Sequence, residues 1–202
     1  MAVGYRGSLW FKYSARRALS HTASNNESAC EAAVGFWSRL KTYCDQYNAT
    51  RTRVFEQLSL TLRAMQSRND GFEETASLHM GVRLPLGFPI EQWWKTMDEL
   101  RGQDDIYTVG TPVPAYRSDK NTLLVRAFLT AIRAQSGQPG FVVKSGTADM
   151  NAVGPIWNCP ILAYGPGDST LDHTPQEHLS LDEYRSAVQV LIHVLRELST
   201  PR

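Results

Sequence analysis

Hydrophobic and polar positions alternate along three stretches of this chain. In SLWFKYS (8–14), Leu9, Phe11 and Tyr13 fall on one side, the two-residue period of a half-buried strand. LSLTLRA (58–64) repeats the pattern with Leu58, Leu60 and Leu62, and SLHMGVRLP (77–85) with Leu78, Met80, Val82 and Leu84. Between those two lies RNDGFEE, whose Asn-Asp-Gly is a strong turn signal. DDIYTVG (104–110) reads as a short fourth strand. Two further stretches carry the wider spacing of an amphipathic helix. From Glu27, the apolar positions are Ala29/Cys30, Ala33, Phe36/Trp37, Leu40 and Tyr43/Cys44. In FPIEQWWKTMDEL (88–100), they are Ile90, Trp93/Trp94, Met97 and Leu100. The resulting order, β-α-β-β-α-β, is the split βαβ or ferredoxin-like pattern. It closes near residue 111, where TPVPAYRS marks a domain boundary.

The second half follows another rule. TLLVRAFLTAIRAQSG (122–137) is a predicted helix with Leu124, Phe128, Ala131 and Ile132 inward and Gly137 as its C-terminal cap. FVVK (141–144) and ILAY (161–164) are short apolar runs, the pattern of buried strands. LDEYRSAVQVLIHVLREL (181–198) is a strong helix, its stripe formed by Leu181, Tyr184, Val188, Leu191, Val194/Leu195 and Leu198. Two strands are too few for an independent sheet, and buried strands need neighbours on both sides. The sequence therefore predicts two units, 1–111 and 112–202. The second is one side of a larger α/β domain whose remainder lies in sequence outside this chain, so the chain reads as a C-terminal piece.

Composition narrows the functions. The 202 residues carry 21 basic and 20 acidic side chains, a net charge of +1, which gives no field for nucleic acid. No apolar run approaches the length of a membrane span, and MAVGYRGSLW lacks the apolar core of a signal peptide. Three scattered cysteines form no CxxC pair and no disulfide framework, which fits a reducing cytoplasm.

The candidate chemistry is crowded into YGPGDSTLDHTPQEH (164–178), with Asp168, Asp172, His173, Glu177 and His178. TPQE fits a capping box with Thr174 as N-cap and Glu177 reaching back to an amide; SLDE (180–183) fits a second. His173 then sits just before a helix, at the end of a glycine-rich loop that follows a strand. In open α/β sheets ligands bind at that position. It is either a metal ligand or a histidine that packs its loop, and one imidazole alone makes no zinc site. KSGTADMN (144–151) follows the other strand with neutral donors at Ser145, Thr147 and Asn151, and two such loops after adjacent strands predict a shared cleft. In the first unit, His21 lies in the loop after the first strand. Arg83 points away from the apolar face of its strand, where a surface arginine is the plain reading.

Taken in order, GYRGSLWF, SHTA, MGVRLPLG, KSGTADMN and YGPGDSTLDHTPQEH resemble the co-catalytic zinc amidohydrolases, the family of acetylornithine deacetylase, succinyl-diaminopimelate desuccinylase, aminoacylase and carboxypeptidase G. The branch most similar releases lysine or ornithine from an amino-group carrier protein, as acetyl-lysine deacetylase does. The resemblance implies a ferredoxin-like lid set into a zinc-peptidase-like α/β catalytic domain, and a homodimer formed through the lid. It implies two zinc ions per active site, with cobalt as a substitute, held mostly by residues outside this chain, as is the general base. It makes His173 a metal ligand, His21 the lid histidine that stabilises the oxyanion in the partner's site, and Arg83, Thr147 and Asp168 the substrate-binding residues. Ala148 stands where the resemblance has serine. The implied activity is metal-dependent amide hydrolysis in lysine or arginine biosynthesis, with this chain inactive alone. The alternatives are a general N-acyl-amino-acid deacetylase or dipeptidase, and a non-catalytic dimerisation module without the metal site.

Overall fold

The computed structural model describes residues 1–21 and 23–200. The chain begins in a short strand, β1 (Ala2–Tyr5), and passes through Arg6 into β2 (Gly7–Ala18). A helix follows, α1 (Ala29–Asn48), then two strands, β3 (Ser59–Asn69) and β4 (Glu73–Leu84), a second helix, α2 (Ile90–Arg101), and β5 (Asp105–Val113). The remainder is β6 (Tyr116–Arg117), α3 (Leu123–Ala134), β7 (Val142–Lys144), α4 (Asp149–Trp157) and α5 (Leu181–Ser199).

The strands from β2 to β5 form one antiparallel sheet in the order β3-β4-β2-β5, the ferredoxin-like arrangement. Alternation decides which face is covered. Leu9, Phe11, Tyr13 and Ala15 of β2 lie opposite Val82, Met80, Leu78 and Ala76 of β4, and all eight are buried. Helices α1 and α2 pack on that face. Tyr13 stacks on Phe36 with ring centroids 4.2 Å apart, and Trp93 meets Phe11 edge-on at 5.7 Å. Helix α1 opens with a complete capping box, Ser28 to Glu31. The Asn-Asp-Gly turn forms as predicted: Gly71 takes φ +93°, and the Asp70 carboxylate accepts the amides of Phe72 and Glu73 at 3.0 and 2.9 Å. One buried carboxylate, Asp104, accepts from the Tyr13 hydroxyl and from Arg17, which also reaches Glu27. Burial, and then that bond, push the Tyr13 phenol up.

A second, three-stranded sheet has the order β6-β1-β7, with β1 antiparallel to β6 and parallel to β7. Residues 2–5 thus share a sheet with residues beyond 112, not with β2. A separate core joins α3 to α5 through Ala127, Phe128, Ala131, Val190 and Val194. Several expectations need correction here. The segment 161–164 is not a strand, and only Ala163 bridges to Ala2. The run 141–144 is not buried, since Phe141 and Val142 are exposed. Nor are the two segments adjacent. Ala2 pairs with Val142 on one edge and with Ala163 on the other, so β1 lies between them. Residues 149–157 are helical, a helix hidden in the sequence by Gly154 and Pro155. At the end of α3 the left-handed residue is Ser136 (φ +60°), not Gly137. The amides of Ser136 and Gly137 close on the carbonyls of Arg133 and Ile132, the two bonds of a Schellman cap. Among the described residues, no helix is long and apolar enough to cross a membrane.

Candidate active-site cleft

Where the chain crosses between the sheets, two predicted residues from distant parts of the sequence meet. Arg83 stands near the end of β4, opposite Ser8 of β2 and Ser59 of β3, on the face that α1 and α2 leave open. It is not a surface arginine. Its guanidinium donates to the hydroxyl of Thr147, in the loop after β7, and Thr147 donates on to Ser8 at 3.3 Å. Burial lowers the Arg83 pKa. The Arg6 guanidinium is lowered too, by burial and then by the charge of Arg83. Two cations thus lie close together, and among the described residues neither forms a salt bridge with an acid. Arg6 is satisfied by neutral groups alone: Ser145 O at 2.9 Å, Val54 O at 3.1 Å, Gln57 O at 3.2 Å and Ser59 Oγ at 2.7 Å. Sequence reasoning missed Arg6. The glycines that flank it in GYRG were its only signal.

The glycine-rich stretch lies beside this loop. Lys144 donates to Ser169, tying the end of β7 to residues 165–170. Between them is a cavity of 660 Å³ whose lining includes Tyr5, Lys144, Asp168, Asp172, Glu177 and His178. Asp168 bonds within its own loop, accepting the Thr170 amide at 2.9 Å and its hydroxyl at 2.8 Å. Those bonds, amide first, hold its carboxyl below the ordinary range. The Gly167 amide donates to Glu183 of α5 at 3.2 Å.

Residues 171–176 form turns rather than the predicted helix, so the TPQE box never closes. His173, just before it, is left-handed with φ +64°. Glu177 still reaches back, but to the His173 amide at 2.9 Å rather than to Thr174. The expected box at SLDE is only half made: Ser180 caps α5, while Glu183 serves Gly167. His173 is exposed and is not part of the cavity lining.

His21 is far from all of this. It lies beyond Ala18, the far end of β2, with its Nδ1 accepting the Ala23 amide at 3.1 Å. Ten positions of strand separate Ala18 from Ser8, about 34 Å at ~3.4 Å per residue. The structure therefore unites Arg83 with Thr147, places Asp168 and His173 in the neighbouring loop, and leaves His21 at the other end of the sheet.

Comparison with protein-family models finds none that matches the chain. Individual proteins do match. The chain is 36% identical to a LysW-lysine hydrolase of Deinococcus radiodurans, over 98% of its own length and 56% of that relative's. It is 40% identical to a LysW-lysine/LysW-ornithine hydrolase of Sulfurisphaera tokodaii, over 97% of its length and 54% of that relative's. Over nearly its whole length the chain is homologous to these hydrolases. It spans about half the length of the curated relatives it matches. Its fold superposes on a M20 family metallo-carboxypeptidase, Sso-CP2, from Sulfolobus solfataricus with a TM-score of 0.74 at 14% identity, covering 96% of this chain and 59% of that one. The aminopeptidase PepT from Bacillus cereus gives 0.73 at 11% identity, with 98% and 54% covered. At those identities the likeness concerns the fold: the lid sheet and the α/β unit beside it.

Such relatives raise the matter of metal. Among the described residues, no group of three or more His, Cys, Asp or Glu side chains could hold an ion. A catalytic zinc needs about three protein ligands.

Proposed function

We propose that the chain is the lid and part of the catalytic domain of a metal-dependent amidohydrolase that releases lysine or ornithine from a carrier-protein conjugate. The lid is assigned to residues 1–111, apart from the strand shared with the second sheet, and the catalytic portion to 112–202. The observation that carries this reading is the meeting of Arg83 with Thr147. A guanidinium and a hydroxyl, presented from two units at one junction and with no acid partner among the described residues, suit the carboxylate of an amino acid. Asp168 would border the same substrate from the glycine-rich loop.

His173 would contribute one imidazole to a zinc or cobalt site completed by residues outside this chain. His21, about a strand's length from its own cleft, would donate a hydrogen bond to the oxyanion in the cleft of a second copy. That role makes the active form a homodimer joined through the lid, and the cytoplasm is the compartment that fits a biosynthetic substrate of this kind.

The test replaces the matching half of the Deinococcus radiodurans relative with these 202 residues and follows lysine release from a carrier-linked lysine. Release by the chimera, lost on His173→Ala, is the expected result. The 202-residue chain alone is expected to release none. A folded chimera that is inactive while its parent is active, or turnover by the lone chain that survives His173→Ala, counts against the reading. A general N-acyl-amino-acid deacetylase would instead show equal turnover of free N-acetyl amino acids.

A further inference from the structure

Two segments join the sheets, and they run side by side. Tyr5–Arg6–Gly7 carries the chain out of β1 into β2, and Val113–Pro114–Ala115 brings it back from β5 to β6. They touch closely: a Cβ on Gly7 would lie 2.6 Å from Val113 O and 2.7 Å from Ala115 N. Across both lies the side chain of Asn151, in the first turn of α4, with only 1% of its surface exposed. Its Nδ2 faces three carbonyls, Pro114 O at 2.8 Å, Arg6 O at 3.2 Å and Tyr5 O at 3.3 Å. Its Oδ1 accepts the Ala148 amide at 3.0 Å, which ties in the loop bearing Thr147.

Both donor hydrogens of this one amide are therefore shared between the two crossings, while its oxygen serves the cleft loop. No apolar residue of similar size could replace it without depriving carbonyls of both segments of a donor, the buried Arg6 O among them. Arg6 fastens the same loop a second time, through Ser145 O, while its other bonds hold residues 54–59 of the lid.

We infer that Asn151 is a positioning residue, a pin that locks the two crossings and the Thr147 loop into one unit and so fixes Thr147 against Arg83. The pin is argued from geometry; its consequence for substrate rests on the reading of Arg83 and Thr147 as a carboxylate clamp. Asn151 itself touches no substrate. By holding both crossings at one point, it limits how far the lid can swing about the cleft.

The chain supplies its own reporters. Cys30 lies in α1 and Cys159 just after α4, and both are exposed, whereas Cys44 is buried, its thiol pushed up to about 12. Spin labels on Cys30 and Cys159, in a background of unlabelled chain, report the distance between the units by double electron–electron resonance. The native 202-residue chain should give one narrow distribution. Asn151→Asp keeps the shape and the acceptor but loses both donor hydrogens. It should broaden the distribution about twofold, as a released hinge does, with the hydrogen-exchange protection of β2–β5 unchanged. Asn151→Ser, whose short side chain cannot reach both crossings, should broaden it likewise and serves if the aspartate variant fails to fold. Thr147→Val should leave the distance narrow.

Calorimetric titration with L-lysine then separates the two ideas. The aspartate variant and Thr147→Val should each weaken binding about tenfold, the scale of a misplaced or missing contact. A narrow, native distribution in a folded Asn151→Asp or Asn151→Ser chain overturns the pin. Broadened distributions with lysine affinity unmoved in every variant uphold the pin and remove the clamp.

Discussion

His173 holds a backbone conformation that an imidazole does not favour. A left-handed φ on a non-glycine residue costs about 1 kcal/mol, and here the next turn answers it with the Glu177 carboxylate on the His173 amide. A residue kept in such a position is retained for its side chain or for its loop, and the two can be separated. His173→Gly should stabilise the chain by roughly 0.5–1 kcal/mol, read as a higher urea midpoint, while His173→Ala keeps the strain and gains nothing. Equal midpoints in all three chains would mean the loop relaxes freely. The second residue is Asp168. Its carboxyl is depressed, so the loop bonds it accepts are present above the ordinary value of about 3.9 and fade as pH falls through its lower folded value. The Asp168 carboxyl carbon should titrate below that ordinary value by NMR. In Thr170→Val, which leaves only the amide, its midpoint should move part of the way back. A wild-type midpoint at or above the ordinary value would contradict the bonds described. At this scale the sequence was legible in chemistry but not in partners. A glycine-rich loop crowded with acids and imidazoles could be read directly, yet the reach of Arg83 to Thr147 joins positions 64 residues apart and needs the fold.

Among the elements, those of the lid declared themselves because one face of the sheet is buried and the other is not, so the period is written in the residues. The elements that escaped are short or disguised. Strand β1, of four residues, shows no period, and α4 contains a glycine and a proline that read as a loop. The apolar run at 161–164 imitates a strand because so short a run carries no period, and only Ala163 pairs. Capping chemistry marks a true helix where Ser180 opens α5 and misleads at TPQE, where the same spacing closes only a turn. Ser28 offers the clean test. Its hydroxyl accepts the Glu31 amide while Glu31 returns to the Ser28 amide, so Ser28→Ala should destabilise the chain by about 1 kcal/mol. A change within the error of chemical denaturation would show that packing of α1 on the sheet, not its cap, sets its stability.

For the molecule as a whole, the length of β2 decides what His21 can do. An imidazole beyond one end of a strand cannot serve a cleft at the other end of that strand. A second copy can bring its own His21 there, joined through an edge strand such as β3, whose residues are mostly exposed. In the chimera, one protomer would carry His21→Ala and the other His173→Ala. Each homodimer should be inactive or nearly so, and mixed dimers should recover activity, because the second protomer lends its histidine to the intact cleft of the first. Loss of an oxyanion donor costs about a hundred- to a thousandfold in rate, so recovery is easily seen. Mixed dimers verified by mass that stay inactive would place His21 outside the reaction. The paired crossings carry a consequence of another kind. Ser8 and Val113 face each other across neighbouring strands, so the lid begins and ends at nearly the same point in space. A segment with that property is a cassette. It can be lifted out and the gap closed by a hairpin of about two to five residues, or exchanged for another of its kind. Heredity can thus shuffle such a cover without rewriting the vessel beneath it.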